Sequence, residues 1–380
     1  MQFGARDWWS WAAILTLAGL GLLAVMAANL LAVLLAWSAM DLIEIILWLS
    51  QARNSQESEQ VVVSFAGRLA GIVGILWAGI VAKSNGLSLS FDTLTPQIGA
   101  YLVVAAWLRL GVLPGNVTQI EELARRRSLS SMLHLIPAAA SLMLLGRAFF
   151  GADPLLAPYL LFVIGLAAIY GGLMWLNAAD ERQGQSSWVL GMAALALGSA
   201  VVGQPAAGLA WGLGMLLPGG LLFLSQARHK GLLPLHILSL ACLFSLPFTP
   251  TWQGVRLYSP PTSPIMLLFL IAHALLLTGY LRHILRQYPI LSGAERWLRF
   301  VYPIGLALPT VIYLWISWWS RPGAPNALQA QPLWFESWPG LVSLLLTGLF
   351  SWVFIIGRRG VRATWSAVQQ PPTTPSATQT

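Results

Sequence analysis

Of the 380 residues, 57% are hydrophobic and 9% charged, with a mean hydropathy of +0.70, which leaves too little polar surface to cover a water-soluble fold and excludes one. The formal charge of +8 does not point to nucleic acid, because the basic residues fall in short links between apolar runs and not on one amphipathic face. A single cysteine, Cys242 within an apolar run, excludes internal disulfides and cysteine-ligated iron–sulfur or zinc sites.

Arg6 and Asp7 precede an apolar stretch that runs on through Trp37 without a small-residue cleavage site, so no removable signal peptide is expected. Apolar stretches of the roughly 20 residues that a spanning helix needs then recur along nearly the whole chain. Approximate spans are 11–27, 31–50, 66–83, 95–112, 130–149, 155–177, 187–203, 206–226, 232–248, 263–281, 300–318 and 338–357. The expected fold class is therefore an all-α integral membrane protein of about 12 transmembrane helices. One domain covers 1–368, and the tail 369–380, rich in proline, threonine and glutamine, is expected to be disordered.

These spans leave Lys83, Arg147, Arg256 and Arg321 on one side and Arg109 at membrane depth, and put the rest of the 21 Lys and Arg on the side of both termini. By the positive-inside rule both termini are cytoplasmic. The longest polar connections are 51–60, 115–128 and 320–331, too short for an extramembrane domain. Trp8, Trp9, Trp318 and Trp319 stand beside helix ends, as interfacial tryptophans do.

Proline and glycine interrupt the apolar runs at Pro114-Gly115, Pro137, Pro218-Gly219-Gly220, and Pro247 with Pro250. Each is either a packing kink or a helix break of the kind that lines a pathway. An ionisable side chain in a bilayer costs roughly 2.5–3.5 kcal/mol on insertion scales, so the few in this chain are site candidates. Asp41 and Glu44, three residues apart, share one helix face and are either proton carriers or hydrated groups at the cytoplasmic helix end. Arg109 precedes the Pro114 break and either pairs with a carboxylate such as Asp41 or Glu44 or snorkels to the interface. His134 and His273 lie in apolar runs, where each either passes protons or is hydrogen-bonded within the bundle. Asp180, Glu181 and Arg182 read as a solvated turn. There is no Walker loop, HExxH or GxSxG, and the histidines lack metal-ligand spacing.

Several of these segments, in order, resemble the antiporter-like membrane subunits of respiratory complex I and the Mrp-type cation/proton antiporters. Residues 29–37, NLLAVLLAW, resemble the helix leading to the family's key glutamate, which falls on Ser38 with Asp41 one turn later as a substitute. Residues 109–115, RLGVLPG, resemble the channel-lysine motif, with Arg109 on the lysine and Gly115 or Asn116 on the histidine. Residues 128–134, SLSSMLH, put His134 on the histidine of the next motif; its following lysine falls near Ala140, and Arg147 resembles the arginine closing that helix. Residues 180–187 resemble the charged loop, with Arg182 for lysine, and 215–224 the central-lysine helix, its lysine replaced by Pro218 or Gly219. The run from Leu233-Pro234-Leu235 to Gly254 is similar to a further proline-glycine signature, with Arg256 near its lysine.

The resemblance covers roughly residues 12–286. It implies a fold of broken-helix inverted repeats that starts where the family's fourth helix would, in a degenerate and shortened member. It further implies a membrane-arm subunit of a complex I-like, NADH:quinone oxidoreductase-type assembly, proton-translocating or a structural remnant of a proton channel. Its partners would be the other membrane subunits and the lipid of an energy-coupling membrane, the bacterial plasma membrane, and the chain itself would bind no cofactor and carry no catalytic site. Asp41, Glu44, Arg109, His134, Arg182 and Arg256 are the pathway candidates. Because arginine does not release its proton at accessible pH, Asp41, Glu44 and His134 would carry protons, and Arg109 would act electrostatically. The other readings are a stand-alone secondary transporter or antiporter of a small ion or solute, and a scaffold without transport.

Overall fold

The computed structural model describes residues 7–52, 54–111, 127–147, 157–225, 232–258, 264–286, 298–319 and 337–368. Pro114, Gly115, Asn116, most of the 115–128 connection, the 320–331 connection and the tail 369–380 lie outside the described residues, as do the side chains of Trp8, Trp9, Trp318 and Trp319.

The helices run α1 Asp7–Met26, α2 Leu30–Gln51, α3 Ser55–Ser84, α4 Pro96–Arg109, α5 Arg127–Arg147, α6 Ala157–Asn177, α7 Gln185–Val201 and α8 Pro205–Leu224. They continue as α9 Leu233–Ala241, α10 Ile265–Ile284, α11 Leu298–Trp319 and α12 Trp338–Val368, with 3-10 turns at Phe91–Thr93 and Pro250–Tyr258. Among the described residues the fold is all helical, and α2, α3, α6, α8 and α10 contain stretches long and apolar enough to cross a membrane. Leu15, Leu22, Leu35, Ile46, Val62, Val73 and Trp77 are exposed, which on a membrane protein is the lipid-facing side.

Helix α7 is apolar on every face and buried along nearly all its length, so it is the axis of the bundle. Helices α5, α6, α8 and α10 pack around it, and α3 and α4 pack against each other on the flank that also carries α2. The α1–α2 link is tied to the α3–α4 link, where Leu30 N donates to Leu89 O at 2.9 Å and Phe91 N to Ala28 O at 3.3 Å. Arg147 at the end of α5 donates to Ala27 O and lies over the Phe91 ring, fixing α5 to the same corner.

Two spans differ from expectation. Helix α3 begins at Ser55 and takes in most of the expected 51–60 connection, because the Asn54 side chain accepts the Glu57 N–H at 2.8 Å and caps the first turn. The expected span 232–248 is a nine-residue helix followed by irregular chain. Pro247 and Pro250 supply no N–H to continue it, and Ser245 and Phe248 take positive φ. As in the expected spans 130–149 and 206–226, α5 and α8 run through Pro137 and Pro218. Near Pro218 the carbonyls of Met215 and Pro218 accept Trp188 Nε1 at 3.1 Å and Tyr280 OH at 2.9 Å, so neighbouring helices supply donors beside the proline.

Candidate functional site

Asp41, Glu44, Arg68 and Arg109 gather where α2, α3, α4 and α5 meet. Helix α4 stops at Arg109, with Leu110 as cap and Gly111 at φ +68°, a left-handed conformation that glycine adopts without strain. That ending puts the guanidinium in the last turn, where a cation is favoured by the helix dipole. Arg109 Nη1 and Nη2 donate to Asp41 Oδ2 and Oδ1 at 2.5 and 2.6 Å, and the guanidinium lies over the Trp37 ring at 4.5 Å. Both partners are buried, at 6% and 1% exposure. The pair is bidentate, the geometry that suits arginine better than lysine.

One turn along α2, Glu44 is also 1% exposed and pairs with Arg68 of α3 through Oε2. The hydrated reading of Asp41 and Glu44 therefore fails, and so does the snorkelling reading of Arg109. The sequence does not single out Arg68, because a span beginning at residue 66 leaves it at a helix edge. With α3 starting at Ser55 it lies well inside the helix.

Close approach of α3 to α4 holds this arrangement. A Cβ on Gly71 would stand 2.9 Å from Ala105 O and 3.2 Å from Arg109 Cβ, so any side chain there would push α4 and its arginine away from α3. Two cavities open beside the charges. One, of about 110 Å³, is lined by Arg68, Arg109, His134, Trp48, Ser64 and Ser186 among others. The second, of about 20 Å³, is lined by Glu44, Arg68, Trp48 and Ser64 with Ile45, Val61 and Phe65. His134 on α5 is half-buried and meets the Trp48 ring edge-on, with centroids 5.9 Å apart.

Four of the six sequence candidates, Asp41, Glu44, Arg109 and His134, are thus brought together. The other two stand apart from both cavities. Arg182 is half-buried in the turn before α7, and Arg256 is exposed on the 3-10 segment. In the Arg182 turn, Asp180 Oδ1 accepts the backbone N–H groups of Arg182 and Gln183 at 2.9 Å, but Glu181 is fully buried, so that turn is not simply solvated. His273 is hydrogen-bonded within the bundle: its Nε2 donates to Leu243 O at 2.9 Å and its Nδ1 faces Tyr258 OH at 3.3 Å. Among the described residues no group of His, Cys, Asp and Glu has metal-binding geometry.

No family model and no curated protein sequence matches the chain. Solved structures do. A chain of the Mrp complex from Dietzia sp. DQ12-45-1b aligns over 94% of this chain and 45% of its own, at TM-score 0.67 and 16% identity. A chain of respiratory complex I from Thermus thermophilus aligns over 79% of this chain and 76% of its own, at TM-score 0.59 and 18% identity. A chain of the membrane-bound sulfane sulfur reductase, an archaeal respiratory membrane complex, aligns over 82% of this chain and 60% of its own, at TM-score 0.59 and 18% identity. This chain spans less than half of the Mrp chain and three fifths of the reductase chain. By fold this chain is similar to chains of the Mrp complex, of respiratory complex I and of the membrane-bound sulfane sulfur reductase, the first two being the assemblies whose motifs its sequence resembles.

Proposed function

We propose that this chain is a membrane-arm subunit of a complex I-like or Mrp-like assembly and that the α2–α5 cluster is its ion-handling site. The observation that carries the reading is the buried Asp41–Arg109 pair with, one turn on, the buried Glu44 paired to half-buried Arg68, set beside a polar cavity within this fold. Buried charges in a membrane bundle are costly and are characteristic of ion pathways. Asp41 has both oxygens engaged by Arg109, and neither arginine releases a proton at accessible pH. Glu44 and His134 are accordingly the proton carriers, and the two arginines set the field in which they work. Arg182 and Arg256 would serve only outside this cluster.

The partners are other membrane subunits, and the location is an energy-coupling membrane, the bacterial plasma membrane. The Lys and Arg asymmetry supports cytoplasmic termini. Mild-detergent purification of the native protein with mass spectrometry of what accompanies it tests the assembly: other redox-complex or antiporter subunits are expected, and a partner-free protein would favour a stand-alone transporter. Proton flux through the isolated assembly tests the site: Glu44→Gln and His134→Gln should each reduce it, and unchanged flux in both would remove the site from the pathway.

A further inference from the structure

The two cavities share Trp48, Ser64 and Arg68; Arg68 pairs with Glu44, and Trp48 is the one whose ring meets His134. It lies one turn beyond Glu44 on α2, is 4% exposed, and sets its ring at 88° to that of His134. The smaller cavity, at about 20 Å³, has room for about one water beside Glu44, and the larger, at about 110 Å³, for several beside His134. A proton moves between such chambers only along groups that accept on one side and donate on the other. An indole has one N–H donor and no acceptor, so it ends a hydrogen-bonded chain and cannot extend it. Ser64, with a hydroxyl that both donates and accepts, lines both cavities and is the group through which their waters would join once the ring moves.

We propose that Trp48 is the gate between Glu44 and His134: in the position seen here its ring keeps the two chambers apart, and displacement of the ring joins them through water at Ser64. This inference rests on the reading of Glu44 and His134 as the carriers.

The test is proton entry into vesicles of phosphatidylethanolamine and phosphatidylglycerol containing the full chain, driven by a potassium diffusion potential and followed with an internal pH dye. Trp48→Ala should raise entry several-fold over the unaltered protein, Trp48→Phe should change it little, and adding Glu44→Gln or His134→Gln to Trp48→Ala should abolish the increase. Trp48→Leu, which keeps an apolar filling, serves where Trp48→Ala lowers the melting temperature, and should also raise entry. Entry unchanged in a folded Trp48→Ala or Trp48→Leu protein overturns the gate. So does an increase that survives both carrier substitutions, because the opened path then runs elsewhere. If flux through the assembly falls with Glu44→Gln and His134→Gln but ignores Trp48, the site stands and only the gate is lost.

Discussion

Helices α2 to α4 bury two carboxylates against arginines, whereas α8 to α11 bury hydroxyls and imidazoles in neutral hydrogen bonds, their half-buried Arg282 donating to a carbonyl, Leu176 O. The first region places two carboxylates, two guanidiniums and a histidine around open volume. In the second, His236 bridges Leu232 O and the Ser225 hydroxyl at 2.9 and 3.2 Å, Ser239 meets Thr310 at 2.8 Å, and His273 joins Leu243 O to Tyr258. No Asp or Glu occurs between Glu181 and Glu295, so no carboxylate from those intervening residues faces these histidines. The difference teaches where each kind of polar group is tolerated. A hydroxyl or imidazole is satisfied by a carbonyl of its own bundle, but a buried charge requires an opposite charge held at hydrogen-bonding distance.

The largest way to break that contrast is to remove one member of the bidentate pair. Arg109→Ala leaves Asp41 buried without its partner and should cost about 3–5 kcal/mol, read as a fall in thermal unfolding midpoint in detergent. Combining Asp41→Leu with Arg109→Met removes both charges together, and most of the stability should return. A double variant as unstable as the single one would mean that the pair is not what couples α2 to α4.

Part of this cluster was legible in the sequence. An acid or arginine inside an apolar run is improbable unless it is paired, so Asp41, Glu44 and Arg109 stood out as individuals, and the proline after Arg109 suggested a helix end there. Pairing of Arg109 with Asp41 or Glu44 was legible as one of two readings, but which carboxylate it takes was not, because that depends on how the packed helices place α2 and α4. Arg68 was hidden by a boundary: the capping signal at Asn54 and Glu57 sits in a polar stretch that reads as a loop when hydropathy alone is followed. Trp48 was hidden by number, since one of 19 tryptophans near a helix end looks like an interfacial anchor. The prolines were legible only as either kinks or breaks: α5 and α8 run through Pro137 and Pro218, whereas the chain holding Pro247 and Pro250 is irregular after α9 ends at Ala241.

A smaller effect sharpens the neutral side of the contrast. His273→Leu strips the partner from Leu243 O and Tyr258 OH, both inside the bundle, and should cost about 1–3 kcal/mol by the same thermal measurement. A loss as large as that of Arg109→Ala would mean that His273 carries charge, and the two regions would then differ less than their hydrogen bonds suggest.

The smallest expected effect belongs to Arg256, a basic residue in the neutral region. Its side chain is exposed on the 3-10 segment Pro250–Tyr258 while Val255, Leu257 and Tyr258 beside it are buried, so the segment is held by its apolar residues and not by the guanidinium. Exposed charges away from caps and networks contribute little, and Arg256→Ala should shift stability by no more than about 0.5 kcal/mol. Proton flux through the assembly should be equally indifferent, because neither cavity includes this residue. If Arg256→Ala instead lowers flux while leaving the melting curve in place, the C-terminal region holds a working charge after all, supplied with its counter-charge from a partner subunit.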